Sequence, residues 1–503
     1  MPLGRAYAVA VTGITGAIVE IEADVGRGLP GVHLVGLPDT TLQEARDRVR
    51  AAVVNSGFTW PTGRTTLSLS PASLPKVGSL YDAGLACAVL NAGRLIRGER
   101  VRETVLLGEL ALDGRLRAVN GVLPAVLAAR EQGFTDVAVP VENLAEAALV
   151  TGVSVHGARS LQELTDWLNG AAELAAPVVF PTPSPRTLPD LRDVEGQEEA
   201  RQAVEIAAAG AHHLLLKGPP GIGKTMLAHR LPGLLPPLTE RESLEVTAIH
   251  SISGQLPRDT PLIVDPPFVA PHHSATAVSL IGGGSGYAKP GAVSLAHRGV
   301  LFLDECTEMQ PRVLNALRTP IEEGEVRISR KCGVATYPAR FLMVLATNPC
   351  PCAARREVDC ECLPPTRRHY RTRLSRPLVD RVDLNVEMRA EYAAIGASGR
   401  RPETTRIVRK RVLEARQAAH ARWGALGFGT NGEVPGPVIR TTLGPGAAAL
   451  QPVNKAMERG SISARGADRA LRVAWTIADL DGKSAPGQTE TEAALLFRLP
   501  RHL

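Results

Sequence analysis

The chain has 503 residues, 44% of them hydrophobic and 21% charged, with a net charge of +6 and a pI near 9.0. That length is too great for one ordinary core and predicts two or three domains, and the composition is that of a globular protein. Aromatics at 4% argue against single-stranded nucleic-acid binding by extensive base stacking, and no run of about eighteen uncharged apolar residues marks a membrane span.

The N-terminal run AVAVTGITGAIVEIEAD soon alternates with Glu20, Glu22 and Asp24, so it reads as strand structure and lacks the layout of a signal peptide. Further strands are expected in PGVHLVGL and RTTLSLSP, helices in TTLQEARDRVRAAVVNSG, SLYDAGLACAVLNAG and VLPAVLAAREQG, and a hairpin in GELALDGRLRAV. This mixed α/β pattern defines a first domain over 1–170. The Ala- and Pro-rich stretch that follows, without periodicity, predicts a linker at 171–189.

The second region opens with a helix, EGQEEARQAVEIAAAGA, and a short apolar strand, HLLLKG, that feeds GPPGIGKT. Gly218, Gly223, Lys224 and Thr225 satisfy the GxxxxGK[ST] spacing, and a strand before and a helix after turn that pattern into a phosphate site. Backbone N–H groups from Gly218 through Pro219, Pro220, Gly221, Ile222 and Gly223 to Thr225 (the two prolines excepted) would cradle phosphates; Lys224 would neutralise their oxygens and Thr225 would ligate Mg2+. VLFLDE and RFLMVLATN are continuous apolar runs, as buried parallel strands should be, and MQPRVLNALRTPIEEGEV puts Val313, Leu314, Leu317 and Ile321 on one helical face that would cover the sheet. Asp304 can orient Mg2+, its neighbour Glu305 can position the attacking water, and Asn348 can hold the same water, although a lone Asn equally suits a turn cap. From about Asn385 the pattern turns helical and predicts a lid. His272 and His273 lack a third ligand nearby and suit turn packing or a contact to a site residue better than metal binding.

Of the seven cysteines, Cys350, Cys352, Cys360 and Cys362 form CPC and CEC pairs joined by a seven-residue loop, which suits a structural, tetrahedral Zn2+ with no open position. Cysteine used in this way fits a cytosolic, cytoplasmic protein and not a disulfide framework. Arg355, Arg356, Arg367, Arg368, Arg371, Arg373 and Arg376 crowd this knuckle, and such a basic loop can meet phosphate backbones or simply be a solvated face.

In order along the chain, LPDTTLQEARDRVRAAVVNSGF, GPPGIGKT, PHHSATAVSLIGGG, KPGAVSLAHRGVLFLDE, ATNPCPC, RLSRPLVDRVDL and SARGADRALRVAWTIADLDG resemble the ComM/YifB family of magnesium-chelatase-like AAA+ ATPases. The resemblance implies an α/β fold: an AAA+ P-loop core over 190–385, with a parallel sheet carrying helices on both faces, a pore insertion at 271–290 and the four-cysteine knuckle at 350–362. A helical lid over 386–503 completes it, and a non-catalytic α+β domain like that of Lon protease and RadA precedes it. It further implies a homo-oligomeric, hexameric ring that binds ATP between subunits and acts on DNA as a branch-migration helicase in competence or repair. The alternative is a chelatase-like ATPase that remodels a protein partner. Arg381 matches the arginine supplied across the subunit interface, and Arg465 the lid arginine that meets the γ-phosphate, with Arg469 as its alternate. Asp82 falls where Lon-type proteases carry their serine nucleophile, which argues against peptidase chemistry, with Ser79 close in sequence. Two departures stand out: Ala353 where the family continues with Gly, and Arg376 in SRP where it has SGP.

Overall fold

A computed structural model of the chain describes residues 3–36, 40–76, 78–97, 99–177, 188–257, 261–284, 288–330, 333–354, 357–389, 402–441 and 446–498. Arg355, Arg356, Gly286 and most of the expected linker lie outside the described residues.

The N-terminal domain runs β1 (Leu3–Thr12), β2 (Thr15–Gly26), β3 (Gly31–Val35), α1 (Thr40–Asn55), β4 (Arg64–Ser70), α2 (Asp82–Ala92), α3 (Arg100–Glu103) and β5 (Thr104–Leu106). It continues with the short hairpin β6 (Glu109–Leu110) and β7 (Leu116–Arg117), then α4 (Val122–Glu131), β8 (Asp136–Pro140), α5 (Leu144–Ala147), β9 (Ser154–Ala158) and α6 (Leu161–Leu168). Seven strands make one mixed sheet in the order β3-β4-β2-β1-β5-β8-β9. The alternation read in β2 is its physical cause: Val19, Ile21 and Ala23 face the core, while Glu20 and Glu22 face outward and pair with Arg5. α2 is buried on nearly every side, which its run of Ala, Gly, Leu and Val permits.

The second domain comprises α7 (Glu198–Gly210), β10 (Leu214–Lys217), α8 (Lys224–Arg230), α9 (Glu240–Ser253), β11 (Phe268–Val269), α10 (Ala277–Ile281), β12 (Gly282–Gly283), β13 (Lys289–Pro290), α11 (Ala292–Leu295) and β14 (Val300–Leu303). After these come α12 (Pro311–Asn315), α13 (Arg318–Glu323), β15 (Glu325–Arg330), β16 (Gly333–Pro338), β17 (Leu342–Thr347), α14 (Pro364–Thr372), α15 (Arg376–Val379) and β18 (Leu384–Glu387). Five strands form a parallel sheet, β11-β14-β17-β10-β18. Alternate residues of each strand enter different cores. Leu214, Leu216, Phe302 and Val344 pack with α7 and α8, whereas Leu215, Leu301, Met343 and Leu345 pack with α11 and α12. Both faces are therefore covered, which is why these strands read as unbroken apolar runs. The helix expected across 309–326 is divided into α12 and α13, because Pro320 has no N–H to give the carbonyl of Ala316 one turn earlier.

The lid packs α16 (Thr405–Trp423), α17 (Gly436–Thr441), α18 (Ala447–Glu458), α19 (Ala464–Leu480) and α20 (Gln488–Leu496) around an edge-on pair, Trp423 and Trp475, 5.8 Å apart. Its boundary differs from the sequence expectation. Val386 and Glu387, assigned to the lid, belong to β18, the last strand of the sheet, and the first described lid helix starts at Thr405, capped by the Thr404 hydroxyl. A four-residue strand beside polar Asn385 and Glu387 carries too little period-2 signal to be seen in sequence.

The two domains meet along α4 and α9. Ser251 on α9 accepts from the Gly121 N–H (3.0 Å) and donates to the buried Glu146 carboxylate, and Ala248 completes the N-terminal core. At the β1–β2 turn Gly13 has φ +61, and a Cβ there would lie 2.3 Å from the Thr336 carbonyl on β16, so only glycine allows this approach.

Candidate nucleotide site and cysteine knuckle

The loop between β10 and α8 turns at Gly221 (φ +75) and Gly223 (φ +98), both in the left-handed region, and no atom lies within 4 Å of where a Cβ would stand on either. Open space beside bare backbone, at the start of a helix whose first N–H groups have no intrahelical partner, fits phosphate oxygens. Gly218 is confined instead: a Cβ there would meet the Met388 carbonyl at 2.8 Å.

Side chains from α8 and from the ends of β14 and β17 converge on this loop. Lys224 Nζ donates to the carbonyls of Gly218 (2.6 Å) and Pro219 (2.8 Å) and to Asn348 Oδ1 (3.0 Å), which reaches in from the end of β17. Burial lowers the Lys224 pKa, with Asp304 and Glu305 pulling it back up. Thr225 Oγ1 donates to Asp304 Oδ2 (2.7 Å) at the end of β14, and Asp304 Oδ1 accepts from the Glu305 N–H (2.9 Å). A hydroxyl and a carboxylate at this distance are the hard oxygen donors that Mg2+ prefers. Glu305 has φ +48, an uncommon conformation for a non-glycine residue and one that concentrates at working sites. Its carboxylate lies 3.3 Å from His273 Nδ1. The sequence offered turn packing or a site contact for His273, and the structure makes the contact to Glu305. His272 Nδ1 pairs instead with Ser274 Oγ (2.8 Å).

The two arginine assignments meet different surroundings. Arg381, between α15 and β18, is buried and bound within its own chain to Glu322 of α13 and to the Pro377 carbonyl. Nothing in the sequence pointed to Glu322, which lies 59 residues away. Arg465, in the first turn of α19, is exposed and makes no hydrogen bond or ion pair among the described residues. Arg469 is engaged elsewhere: it donates to Asp383 Oδ1 (2.7 Å) and to the Arg381 carbonyl (2.9 Å).

Cys350, Cys352, Cys360 and Cys362 bring their sulfurs within 4.8 Å of one another, with Cys350–Cys352 at 3.2 Å, Cys350–Cys360 at 3.5 Å and Cys352–Cys360 at 3.6 Å. Four thiolates around a zinc with bonds of about 2.3 Å would stand about 3.8 Å apart, so the donor set and its size fit a structural zinc. Ala353 has φ +53, the left-handed conformation that explains why glycine suits this position. Of the nearby arginines, Arg373 is occupied, donating to the Thr307 carbonyl (3.1 Å) and Glu308 Oε2 (3.2 Å). Arg368, Arg371 and Arg376 are exposed on α14 and α15.

In the N-terminal domain the Asp82 carboxylate is fully buried and takes both Nε (2.7 Å) and Nη2 (3.0 Å) of Arg48 and the Leu110 N–H (3.1 Å). Burial outweighs these bonds and raises its pKa to about 6. Ser79 is bonded to Glu109.

A parallel sheet with a phosphate loop after one strand, an acidic pair after the next but one and a helical lid defines a P-loop ATPase of the AAA+ class. The family described as "Magnesium chelatase, subunit ChlI" matches residues 190–395, that described as "Subunit ChlI of Mg-chelatase" matches 21–143, and "Magnesium chelatase, subunit ChlI C-terminal" matches 402–498. An uncharacterized protein of Mycobacterium tuberculosis is 59% identical over 499 residues, covering 99% of both chains. YifB of Salmonella typhimurium is 38% identical over 501 residues, 99% of this chain and 97% of its own. Competence protein ComM of Haemophilus influenzae is 38% identical over 504 residues, 99% of this chain and 98% of its own. The chain belongs to the ComM/YifB family of magnesium-chelatase-like AAA+ ATPases. Among the described residues no helix is long and apolar enough to cross a membrane.

Proposed function

We propose that this protein is a Mg-ATP-hydrolysing ring motor, hexameric, that acts on DNA and drives branch migration in the recombination of incoming or damaged DNA. The observation that carries the ATPase step is the convergence of Lys224, Thr225, Asp304, Glu305 and Asn348 at the carboxyl edge of β10, β14 and β17. The loop amides and Lys224 bind and neutralise phosphate oxygens, and Thr225 with Asp304 holds the metal. Magnesium, when bound, neutralises charge on the transferring phosphoryl group. Glu305 takes the proton of the attacking water, His273 steadies its carboxylate, and Asn348 orients the same water while holding Lys224. Arg381 acts on the site of the neighbouring subunit, and Arg465, unpaired among the described residues, meets the γ-phosphate from the lid. The zinc knuckle holds the loop between β17 and α14, and α14 presents arginines to phosphate backbones. With Asp82 locked by Arg48 in place of a serine, the N-terminal domain serves assembly or DNA contact.

The test is ATP turnover by the full chain with and without four-way junction DNA at two salt concentrations. Stimulation that fades as salt rises supports the motor, because phosphate contacts release counterions. The ChlI matches across three segments favour a second reading, a remodelling subunit that acts on a protein partner. Turnover indifferent to DNA, with no salt-sensitive binding, refutes the motor and leaves that reading.

A further inference from the structure

The lid grips the base of Arg381, while the core holds its tip. Arg469 of α19 binds the Arg381 carbonyl and the Asp383 carboxylate, Arg498 beyond α20 donates to the Val382 carbonyl (2.7 Å), and the Phe497 carbonyl accepts from Asn385 N (2.8 Å). The Arg381 and Val382 carbonyls and the Asn385 N–H are thus tied to the lid, while the Asp383 and Leu384 N–H groups go to the His213 carbonyl of the core (3.0 Å each). Asp383 is buried, and although burial opposes its charge, Arg469 and His212 beside it hold its pKa well below the usual carboxylate range. The Arg381 guanidinium faces the other way, onto Glu322 of α13 and the Pro377 carbonyl, and its buried Nε–H has no partner among the described residues. Arg465 stands one turn before Arg469 on the same face of α19, a rigid rod of 17 residues.

We propose that Arg469 is a positioning residue: through its grip on Arg381 and Asp383, the lid of each subunit sets whether that subunit's Arg381 rests on Glu322 or is delivered to its neighbour. Rotation of α19 carries the base of Arg381 with it and draws the guanidinium off an incomplete resting contact. A nucleotide felt by Arg465 at the start of the helix is thereby reported to the site next door. The inference rests on the reading of Arg381 as a residue that acts across the interface.

The experiment measures steady-state ATP turnover and equilibrium binding of a fluorescent ATP analogue in the full chain for Arg469→Gln, Arg381→Ala and the double variant. Arg469→Gln is expected to lose at least about tenfold in kcat, part of the 10³–10⁵ that a trans arginine contributes in other NTPases, with affinity for the analogue unchanged within about twofold. The double variant should be no slower than Arg381→Ala alone, and mixing Arg469→Gln with Glu305→Gln subunits, which keep a working arginine, should restore turnover. Wild-type turnover of Arg469→Gln, additive losses in the double variant, or no rescue on mixing would overturn the proposal. Normal turnover by Arg381→Ala would instead overturn the interface reading beneath it. Should Arg469→Gln fail to fold, Glu322→Gln carries the test, since Glu322 lies half in solvent and only its hold on Arg381 is lost. Turnover above wild type is then expected, and unchanged turnover overturns the proposal.

Discussion

Replacing Ser251 by alanine tests how firmly the N-terminal domain is docked on the ATPase core. The Ser251 hydroxyl accepts from the Gly121 N–H at 3.0 Å and donates to Glu146, a buried carboxylate that also takes the Leu123 N–H at 2.8 Å and whose pKa burial raises. Without Oγ, the Gly121 donor and one carboxylate lone pair lose their partner inside the seam. A side-chain hydrogen bond contributes about 0.5–1.5 kcal/mol, about 1.5–3 kcal/mol where the carboxylate is ionised, and an orphaned buried donor costs about 1–3 kcal/mol. Because the two terms share one oxygen, about 3 kcal/mol together is reasonable, and the docked state then loses roughly a hundredfold relative to the opened one. Hydrogen exchange reads this directly: the Gly121 and Leu123 amides should exchange about a hundredfold faster in Ser251→Ala. Ser253→Ala is the control, since it loses only a bond to the His250 carbonyl of its own helix (2.8 Å). Wild-type protection of Leu123 in Ser251→Ala, or equal loss in the control, refutes the reasoning.

Four further outcomes are expected. Glu305→Gln should bind ATP and turn it over at least about a hundredfold more slowly, the usual loss with a general base, while Lys224→Ala should fail to bind it; phosphate release and analogue binding check both, and normal turnover by Glu305→Gln rejects its role. Protein purified without chelator should carry about one zinc per chain, released by Cys360→Ser; a metal-free preparation rejects the knuckle as a zinc site. Half-buried His213, whose ring accepts from the Met343 N–H at 3.1 Å, has its pKa pushed down from 6.5 to about 4 by desolvation. The unfolded chain therefore binds more protons between those values, so stability from this residue is present above pH 6.5 and is lost, by up to roughly 3 kcal/mol, as pH falls toward 4. Denaturant midpoints should fall less between pH 7.5 and 5 in His213→Gln than in the wild type, and equal falls refute the assignment.

What the sequence made legible was whatever rests on local pattern. β14 and β17 announced themselves because burial on both faces demands unbroken apolar runs, and the phosphate loop because its glycines and lysine are fixed by spacing. β18 did not, being four residues long with polar alternates, nor did the break between α12 and α13 that Pro320 imposes one turn earlier, at Ala316 and Leu317. Long-range partners were hidden for a different reason: Glu322 with Arg381, Arg469 with Asp383, and His273 with Glu305 are set by topology, and no periodicity encodes them. Ala353 was legible as a departure, and its φ of +53 gives the physical reason, a left-handed position where a Cβ is strained by about 1 kcal/mol.

The arginines make the same point quantitatively. Counted in sequence, seven of them crowd the knuckle and invite a strong electrostatic reading. Arg373 is spent on Thr307 and Glu308, and Arg355 and Arg356 lie outside the described residues, which leaves Arg367, Arg368, Arg371 and Arg376. On α14, Arg367 and Arg368 stand three or four residues before Arg371, so they share one side of the helix. Roughly four phosphate contacts per subunit imply a salt slope of about −3.6 in log affinity, or about a hundredfold weakening between 50 and 200 mM salt. On the DNA-motor reading proposed above, a single subunit so equipped would hold DNA weakly, and tight binding would require several subunits to engage one molecule together. A monomeric variant that binds junction DNA as tightly as the assembled protein would refute that dependence.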